Sequence, residues 1–164
     1  MRKLIPALCA LLICHPAAAQ QQPFDCEASA PHRAFDFWLG KWEVTDPQGK
    51  VAGHNTITKA ERGCALREQW TSVRGGTGQS INYFQPGNGV WRQLWLDGGS
   101  SIIDISGGLE GDSMVLTGTI FYLKAGTDHP FRGRWTPLED GRVRQFFQQQ
   151  DAEGAWQTWF EGFY

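Results

Sequence analysis

The chain has few of the residues from which metal sites and nucleophilic sites are built. It contains four histidines in 164 residues, and the last three, His32, His54 and His129, lie in separate segments without the spacing of zinc ligands. No Gly-x-Ser-x-Gly elbow and no phosphate-binding loop with its lysine occurs. We therefore expect no metal and no cofactor, and the sequence names no catalytic residue.

The chain also lacks a large excess of either positive or negative charge. The 15 lysines and arginines face 17 aspartates and glutamates, for a net charge of −2, whereas proteins that bind nucleic acid present a basic stripe. No apolar run reaches the roughly 20 residues that span a bilayer. We expect neither a nucleic-acid partner nor a transmembrane segment in the mature chain.

The first 19 residues have the pattern of a secretory signal peptide. Arg2 and Lys3 precede the apolar run 4–14, and Ala17-Ala18-Ala19 supplies a cleavage site before Gln20. An N-terminal anchor or a core helix is the alternative. Export predicts a periplasmic or secreted protein, with a signal peptide at 1–19, an N-terminal extension at 20–33 and a single barrel domain at 34–164.

Removal of the signal peptide leaves two cysteines, Cys26 and Cys64. Exported proteins meet an oxidising environment, so we predict a disulfide between them. Two buried free thiols are the alternative. The bond would attach the N-terminal extension to a strand of the domain.

Short strands separated by turn signals about every ten residues follow one helical segment. Pro31–Gly40 is the helical segment, because Phe35, Trp38 and Leu39 fall on one helical face. No later connection is long enough for a parallel crossover. We therefore predict an all-β fold, an antiparallel up-and-down barrel of about ten strands whose last strand pairs with the first. A two-sheet sandwich is the alternative. The predicted strands are 42–45, 51–59, 64–73, 79–85, 90–96, 101–106, 113–123, 131–136, 142–150 and 156–164.

Three strands place aromatic residues and single polar groups on the same face. Alternation puts Glu68 beside Trp70, and Gln93 beside Trp95. If these faces point inward, they line a cavity suited to a small, largely apolar or amphipathic ligand. If they point outward, the polar groups are solvated and the tryptophans only pack. The predicted ligand-binding residues are Glu68, Trp70, Asn82, Phe84, Gln93, Trp95 and Asp104.

Four arginines alternate on two consecutive strands and are expected to oppose each other across a hairpin. They lie on a solvated outer face, or one stacks on Trp42, or one binds a ligand carboxylate inside the barrel. The four are Arg132, Arg134, Arg142 and Arg144.

The segment Phe35–Trp42, FDFWLGKW, resembles the start of an exported bacterial family of unknown function. Its Gly-x-Trp step is similar to the first strand of lipocalins and other calycins, which implies a barrel with a cavity. Haem-binding nitrobindin-like barrels share that step, but the final strands here hold no histidine to act as a proximal ligand, so haem binding is not implied. The family resemblance extends over Gly63-Cys64-x-Leu66-x-Glu68-x-Trp70, Gly78-x-Ser80-x-Asn82, Trp91-x-Gln93-x-Trp95-x-Asp97, Asp140-Gly141-x-Val143-Arg144-Gln145 and Trp156-x-x-x-Phe160-x-Gly162-x-Tyr164.

The sequence thus predicts an exported barrel that binds a small molecule, without a reaction that can be named. One alternative is a lipocalin-like isomerase or cyclase that uses the same cavity, with Glu68 or Asp104 as acid or base. Another is an envelope glycan binder that uses its eight tryptophans as stacking platforms.

Overall fold

The computed structural model describes residues 22–164, and the predicted signal peptide lies outside them. Ten strands follow one short helix, α1 (Ala30–Arg33), and a 3₁₀ turn at Asp36–Trp38. The strands are β1 (Gly40–Thr45), β2 (Val51–Ala60), β3 (Ala65–Ser72), β4 (Thr77–Gln85), β5 (Val90–Asp97), β6 (Ser101–Glu110), β7 (Ser113–Tyr122), β8 (Thr127–Pro137), β9 (Val143–Gln150) and β10 (Trp156–Phe163).

Each strand pairs antiparallel with the next, and the sheet closes on itself. Thr45 of β1 lies opposite Phe163 of β10, while Tyr164 exchanges two backbone hydrogen bonds with Val143 beside this seam. Closure covers part of the strand edges that an open sheet would leave free for pairing with another chain. The predicted ten-stranded up-and-down barrel is confirmed, and the sandwich alternative is wrong.

Two strands extend four or more residues beyond their predicted bounds. β6 continues through Gly107 and Gly108 to Glu110, so these glycines lie in the sheet and the turn follows at 111–112. β8 begins at Thr127 rather than at Phe131. Pro130 is tolerated there because β9 pairs with β8 only from Phe131 onward, which leaves the proline with a neighbour strand on one side.

An aromatic cluster from the helical segment covers one end of the barrel, here called the closed end. Phe35 and Trp38 are fully buried, and their rings stack with centroids 5.1 Å apart. Phe35 also meets the rings of Trp91 and Trp135 edge-on, at 5.6 and 5.1 Å. The indole of Trp42 donates to the Trp38 carbonyl at 3.0 Å. These contacts fasten the segment over the barrel and exclude water from that end.

The predicted disulfide between Cys26 and Cys64 is confirmed. It joins the chain just before α1 to the residue preceding β3, at the closed end. Cys26 is 2% exposed, whereas Cys64 is half-buried. The covalent link and the aromatic cluster therefore hold the same segment against the barrel.

The four arginines lie on the outer face, which confirms the first of the three alternatives. Arg132 lies over the Trp156 ring, 4.1 Å from its centroid, and Arg144 forms an ion pair with Glu161 at 2.7 Å. Within residues 22–164, no arginine stacks on the ring of Trp42. The expected opposition of the pairs is wrong, because the hairpin register places Arg134 opposite Phe146. Partly exposed pairs of this kind contribute little to stability.

Candidate functional site: a cavity open at one end of the barrel

A cavity of about 400 Å³ occupies the half of the barrel away from the aromatic cluster. It opens between the β1–β2 loop, which supplies Asp46 and Lys50, and the β3–β4 loop, which supplies Arg74. We call this the open end. A volume of this size suits a small organic molecule.

Aromatic and aliphatic side chains form the cavity walls. Alternation along the strands turns most of these residues inward, as the burial pattern of β5 illustrates, with Gln93 buried and Leu94 exposed. In β10 the register shifts between Thr158 and Phe160, so the consecutive residues Trp159 and Phe160 both line the cavity. The larger apolar lining residues are Trp70, Trp95, Ile103, Phe147, Trp159 and Phe160.

Two glycines, one on β2 and one on β4, let the large rings of the adjacent strands lie flat against the wall. The ring of Trp95 occupies the space that a Cβ at Gly78 would fill, and the ring of Trp70 does the same at Gly53. Side chains at these positions would push the indoles toward the barrel axis. The glycines therefore keep the cavity wide.

A buried carboxyl group lies at the inner end of the cavity. Glu68 of β3 is 3% exposed and lines the cavity. Its Oε1 accepts from Asn55 Nδ2 at 2.7 Å, and its Oε2 accepts from Ser80 Oγ at 2.6 Å. Asn55 also donates to the Tyr164 hydroxyl at 3.2 Å, and that hydroxyl donates to Gln145 Oε1. Four strands and the C-terminal residue thus meet in one hydrogen-bonded cluster.

Burial has the largest effect on the pKa values of Glu68 and Tyr164 in this cluster. Loss of solvent raises the pKa of Glu68 to about 7, although hydrogen bonds from Ser80 and Asn55 oppose the rise. Burial, with the nearby Glu68 charge, also holds the pKa of Tyr164 well above its usual value. No arginine or lysine pairs with Glu68 within the described chain. Glu68 is therefore about half protonated near neutral pH and can take up or release a proton there.

Gln93 extends the polar cluster along the cavity wall. Its Nε2 donates to Asn82 Oδ1 at 2.8 Å, and Asn82 in turn donates to Ser80 Oγ at 2.8 Å. Gln93 Oε1 is fully buried and has no hydrogen-bond partner in residues 22–164. The Trp95 indole N–H, on the same face of β5, is likewise buried and unpaired there. Unpaired buried polar atoms cost about 1–3 kcal/mol each.

The structure places most of the predicted binding residues in or beside this cavity. Glu68, Trp70, Gln93 and Trp95 line it, and Asn82 lies behind Gln93 in the buried cluster.

Two predicted residues lie elsewhere. Asp104 is on the outer face, where it accepts from Arg92 Nε at 2.8 Å, because its neighbours Ile103 and Ile105 are the residues that point inward. Phe84 lies near the closed end, packed edge-on against His32 at 5.1 Å. Neither lines the cavity.

Sequence reasoning missed Asn55, Gln145 and Tyr164. Asn55 lies between Gly53 and Ile57 on the inward face of β2, so the pattern of one polar residue on an otherwise apolar face was present. Gln145 has the same signal between Val143 and Phe147 in β9. No local pattern marks Tyr164, whose position follows from closure of the barrel.

Among residues 22–164, no three histidine, cysteine, aspartate or glutamate side chains are grouped so that they could hold a metal ion. None of the helices in that range is both long and apolar enough to cross a membrane. No protein-family model and no curated protein sequence matches this chain significantly. The functional interpretation therefore rests on the geometry of the cavity.

Proposed function

We propose that this protein is an exported barrel that binds a small, largely apolar molecule in its open cavity. The observation that carries the proposal is a cavity of about 400 Å³ with apolar walls and a few buried polar groups at its inner end. That combination is typical of ligand sites in small barrels. A ligand gains affinity from the walls and orientation from the polar groups.

Two observations support export. The Cys26–Cys64 bond is stable in oxidising compartments and rare in the cytosol, and the apolar run 4–14 has the length of a signal-peptide core. The proposal therefore places the protein in the periplasm or outside the cell. The closed antiparallel barrel is consistent with a calycin-like fold, and we propose that the chain belongs with the exported family that its motifs resemble.

A titration with N-phenyl-1-naphthylamine, a neutral apolar fluorophore, tests ligand binding. We expect saturable binding at one site per chain, with quenching of tryptophan emission. Trp95→Ala should weaken binding by about 1–3 kcal/mol, the usual effect of removing a buried aromatic anchor. Trp159→Ala should also weaken it, because Trp159 lines the cavity.

The matched control for these variants is Trp156→Ala. Trp156 lies under Arg132 on the outer face and contributes nothing to the cavity. Arg92→Ala is a second outer-face control. The proposal fails if the wild-type protein shows no saturable binding, or if the outer-face variants weaken binding as much as Trp95→Ala does.

A second candidate function is proton-transfer catalysis in the same cavity. The observation that favours it is the Glu68 carboxyl group, which lines the cavity and has a pKa of about 7, near the optimum for a general acid or base. This candidate predicts turnover of β,γ-unsaturated ketones. Glu68→Gln should abolish that turnover and leave probe binding intact.

The glycan alternative has less support. Trp70, Trp95 and Trp159 surround an internal cavity, whereas sugar stacking requires exposed, coplanar rings. Trp38 and Trp135 are fully buried in the aromatic cluster at the closed end. These positions favour an apolar ligand.

A further inference from the structure

The inner half of the cavity combines one carboxyl group with flat aromatic rings. Glu68 and Trp70 share the inward face of β3, and the strand register places Ser80 opposite Glu68 and Trp95 opposite Ser80. The carboxyl group and the two indoles therefore occupy adjacent positions on one wall. Because both indoles lie flat over glycines, each turns a ring face toward the barrel axis.

The carboxyl group has no counter-ion in the protein. Glu68 is the only carboxyl side chain that is buried within residues 22–164, and no ion pair in that range involves it. The side chains that donate to it, Asn55 and Ser80, are uncharged. The titratable side chain that faces this group is Tyr164, whose hydroxyl also accepts from Asn55. Burial holds the pKa of Tyr164 well above its usual value, so Tyr164 stays neutral. Deprotonated Glu68 thus places an uncompensated negative charge beside the aromatic rings.

We infer that the ligand is an apolar organic cation whose ammonium group lies against the Trp70 and Trp95 rings, with Glu68 as its counter-ion. This inference rests on the proposed function and specifies the ligand class. The faces of aromatic rings carry partial negative charge and attract organic cations, most strongly where water is excluded. The Glu68 carboxylate adds a full negative charge, whose effect is large because little water screens it there.

Ligands of other charge fit this position less well. An anionic group at the inner end would be repelled by the Glu68 carboxylate. A neutral ligand gains the apolar walls but leaves that carboxylate without a counter-charge. Lys50 and Arg74, the basic residues that line the cavity, are exposed at the open end, where solvent screens their charges. The inner half of the cavity is therefore negative whenever Glu68 is deprotonated.

Two ligands of equal shape test the inference. Benzyltrimethylammonium carries its charge at every pH, and neopentylbenzene is its neutral isostere; both are measured in competition with N-phenyl-1-naphthylamine. Because the pKa of Glu68 is about 7, the affinity of the cation relative to the neutral ligand should rise about ten-fold between pH 5 and pH 8 in the wild-type protein. A relative affinity that does not rise with pH overturns the inference, and this measurement requires no variant.

Two variants assign the charge and the ring face. Glu68→Gln, once its β-sheet circular dichroism is verified, should abolish the rise and lower the relative affinity of the cation at pH 8 about ten-fold. Its control, Glu110→Gln, removes an outer-face carboxylate and should change nothing. Trp95→Leu keeps an apolar side chain but removes the ring face, so it should weaken the cation more than the neutral ligand. Its control is Trp156→Leu on the outer face.

The outcomes separate this inference from the proposed function. A rise that persists in Glu68→Gln, or equal weakening of the two ligands in Trp95→Leu, overturns the inference. If neither the probe nor neopentylbenzene binds to the wild-type protein, the proposed function fails instead.

Discussion

Ser80 donates a hydrogen bond of 2.6 Å to Glu68 inside the barrel, on the neighbouring strand. The bond opposes the rise in the pKa of Glu68, but burial prevails and the pKa is about 7. The folded state therefore binds the Glu68 proton more tightly than the unfolded state, whose glutamate has an ordinary pKa near 4.5. The contribution of Glu68 to the free energy of unfolding is therefore complete below pH 4.5, and it declines as the pH rises to about 7.

Glu68→Gln should remove this pH dependence, because glutamine stays neutral. The loss in the wild type between pH 4.5 and 8 amounts to about 3 kcal/mol for this shift. Urea denaturation at pH 5 and pH 8 should show the variant gaining stability relative to the wild type at the higher pH. Glu110→Gln, at an outer-face carboxylate paired with Arg134, is the matched control. A constant difference between variant and wild type at both pH values would contradict the prediction.

Gly78→Ala should narrow the cavity. The added methyl group meets the Trp95 ring, which must move toward the barrel axis, and overpacking of this kind costs about 1–3 kcal/mol. We expect weaker binding of N-phenyl-1-naphthylamine and a lower melting temperature. Gly108→Ala is the control, since a Cβ at Gly108 meets nothing within 4 Å. Unchanged probe affinity in Gly78→Ala would show that the ring is displaced elsewhere.

Much of the fold follows from local sequence signals. Turns such as Asp46–Gly49 and Pro86–Gly89 separate the strands, and alternation along β5 assigns Gln93 and Trp95 to one face. The same alternation turns Ile103 and Ile105 inward and therefore places Asp104 on the outer face. β6 and β8 extend beyond their predicted bounds because they continue through Gly107-Gly108 and Pro130, residue types that usually mark turns.

The polar cluster could not be predicted in the same way. Asn55 and Glu68 are 13 positions apart, and Asn55 and Tyr164 are 109 apart. Their meeting depends on strand register and on barrel closure, neither of which a local pattern fixes. Single polar residues on apolar faces could identify members of the cluster but not their partners.

Reduction of the Cys26–Cys64 bond should lower stability without abolishing the fold. A sequence separation of 38 corresponds to about 4 kcal/mol in the chain-entropy description, while the strands of the barrel pair with one another without the bond. Thermal denaturation with and without reductant, and of Cys26→Ala/Cys64→Ala, should show lower melting temperatures and retained β-sheet circular dichroism at 25 °C. An unfolded spectrum in the reduced protein would mean that the segment is required for folding.

Two tryptophan substitutions should differ sharply in their effect on stability. Trp38 is fully buried in the aromatic cluster, whereas Trp159 is 40% exposed at the cavity rim. Trp38→Ala should cost about 3–5 kcal/mol, as expected for a large buried ring, and Trp159→Ala should cost clearly less. Urea denaturation of both variants measures the difference. Equal losses would mean that the cluster at the closed end is not part of the stabilising core.

The seam between β1 and β10 makes one line of the barrel easier to open than the others. A single residue pair, Thr45 and Phe163, joins these strands, whereas β6 and β7 pair along ten positions. Local opening needs little free energy where few hydrogen bonds must break, so backbone amides along this line should exchange with deuterium earliest among the strands. Phe160, which lines the cavity, belongs to β10. Local opening of this seam would widen the cavity sideways and give the proposed ligand a second exit route through the barrel wall.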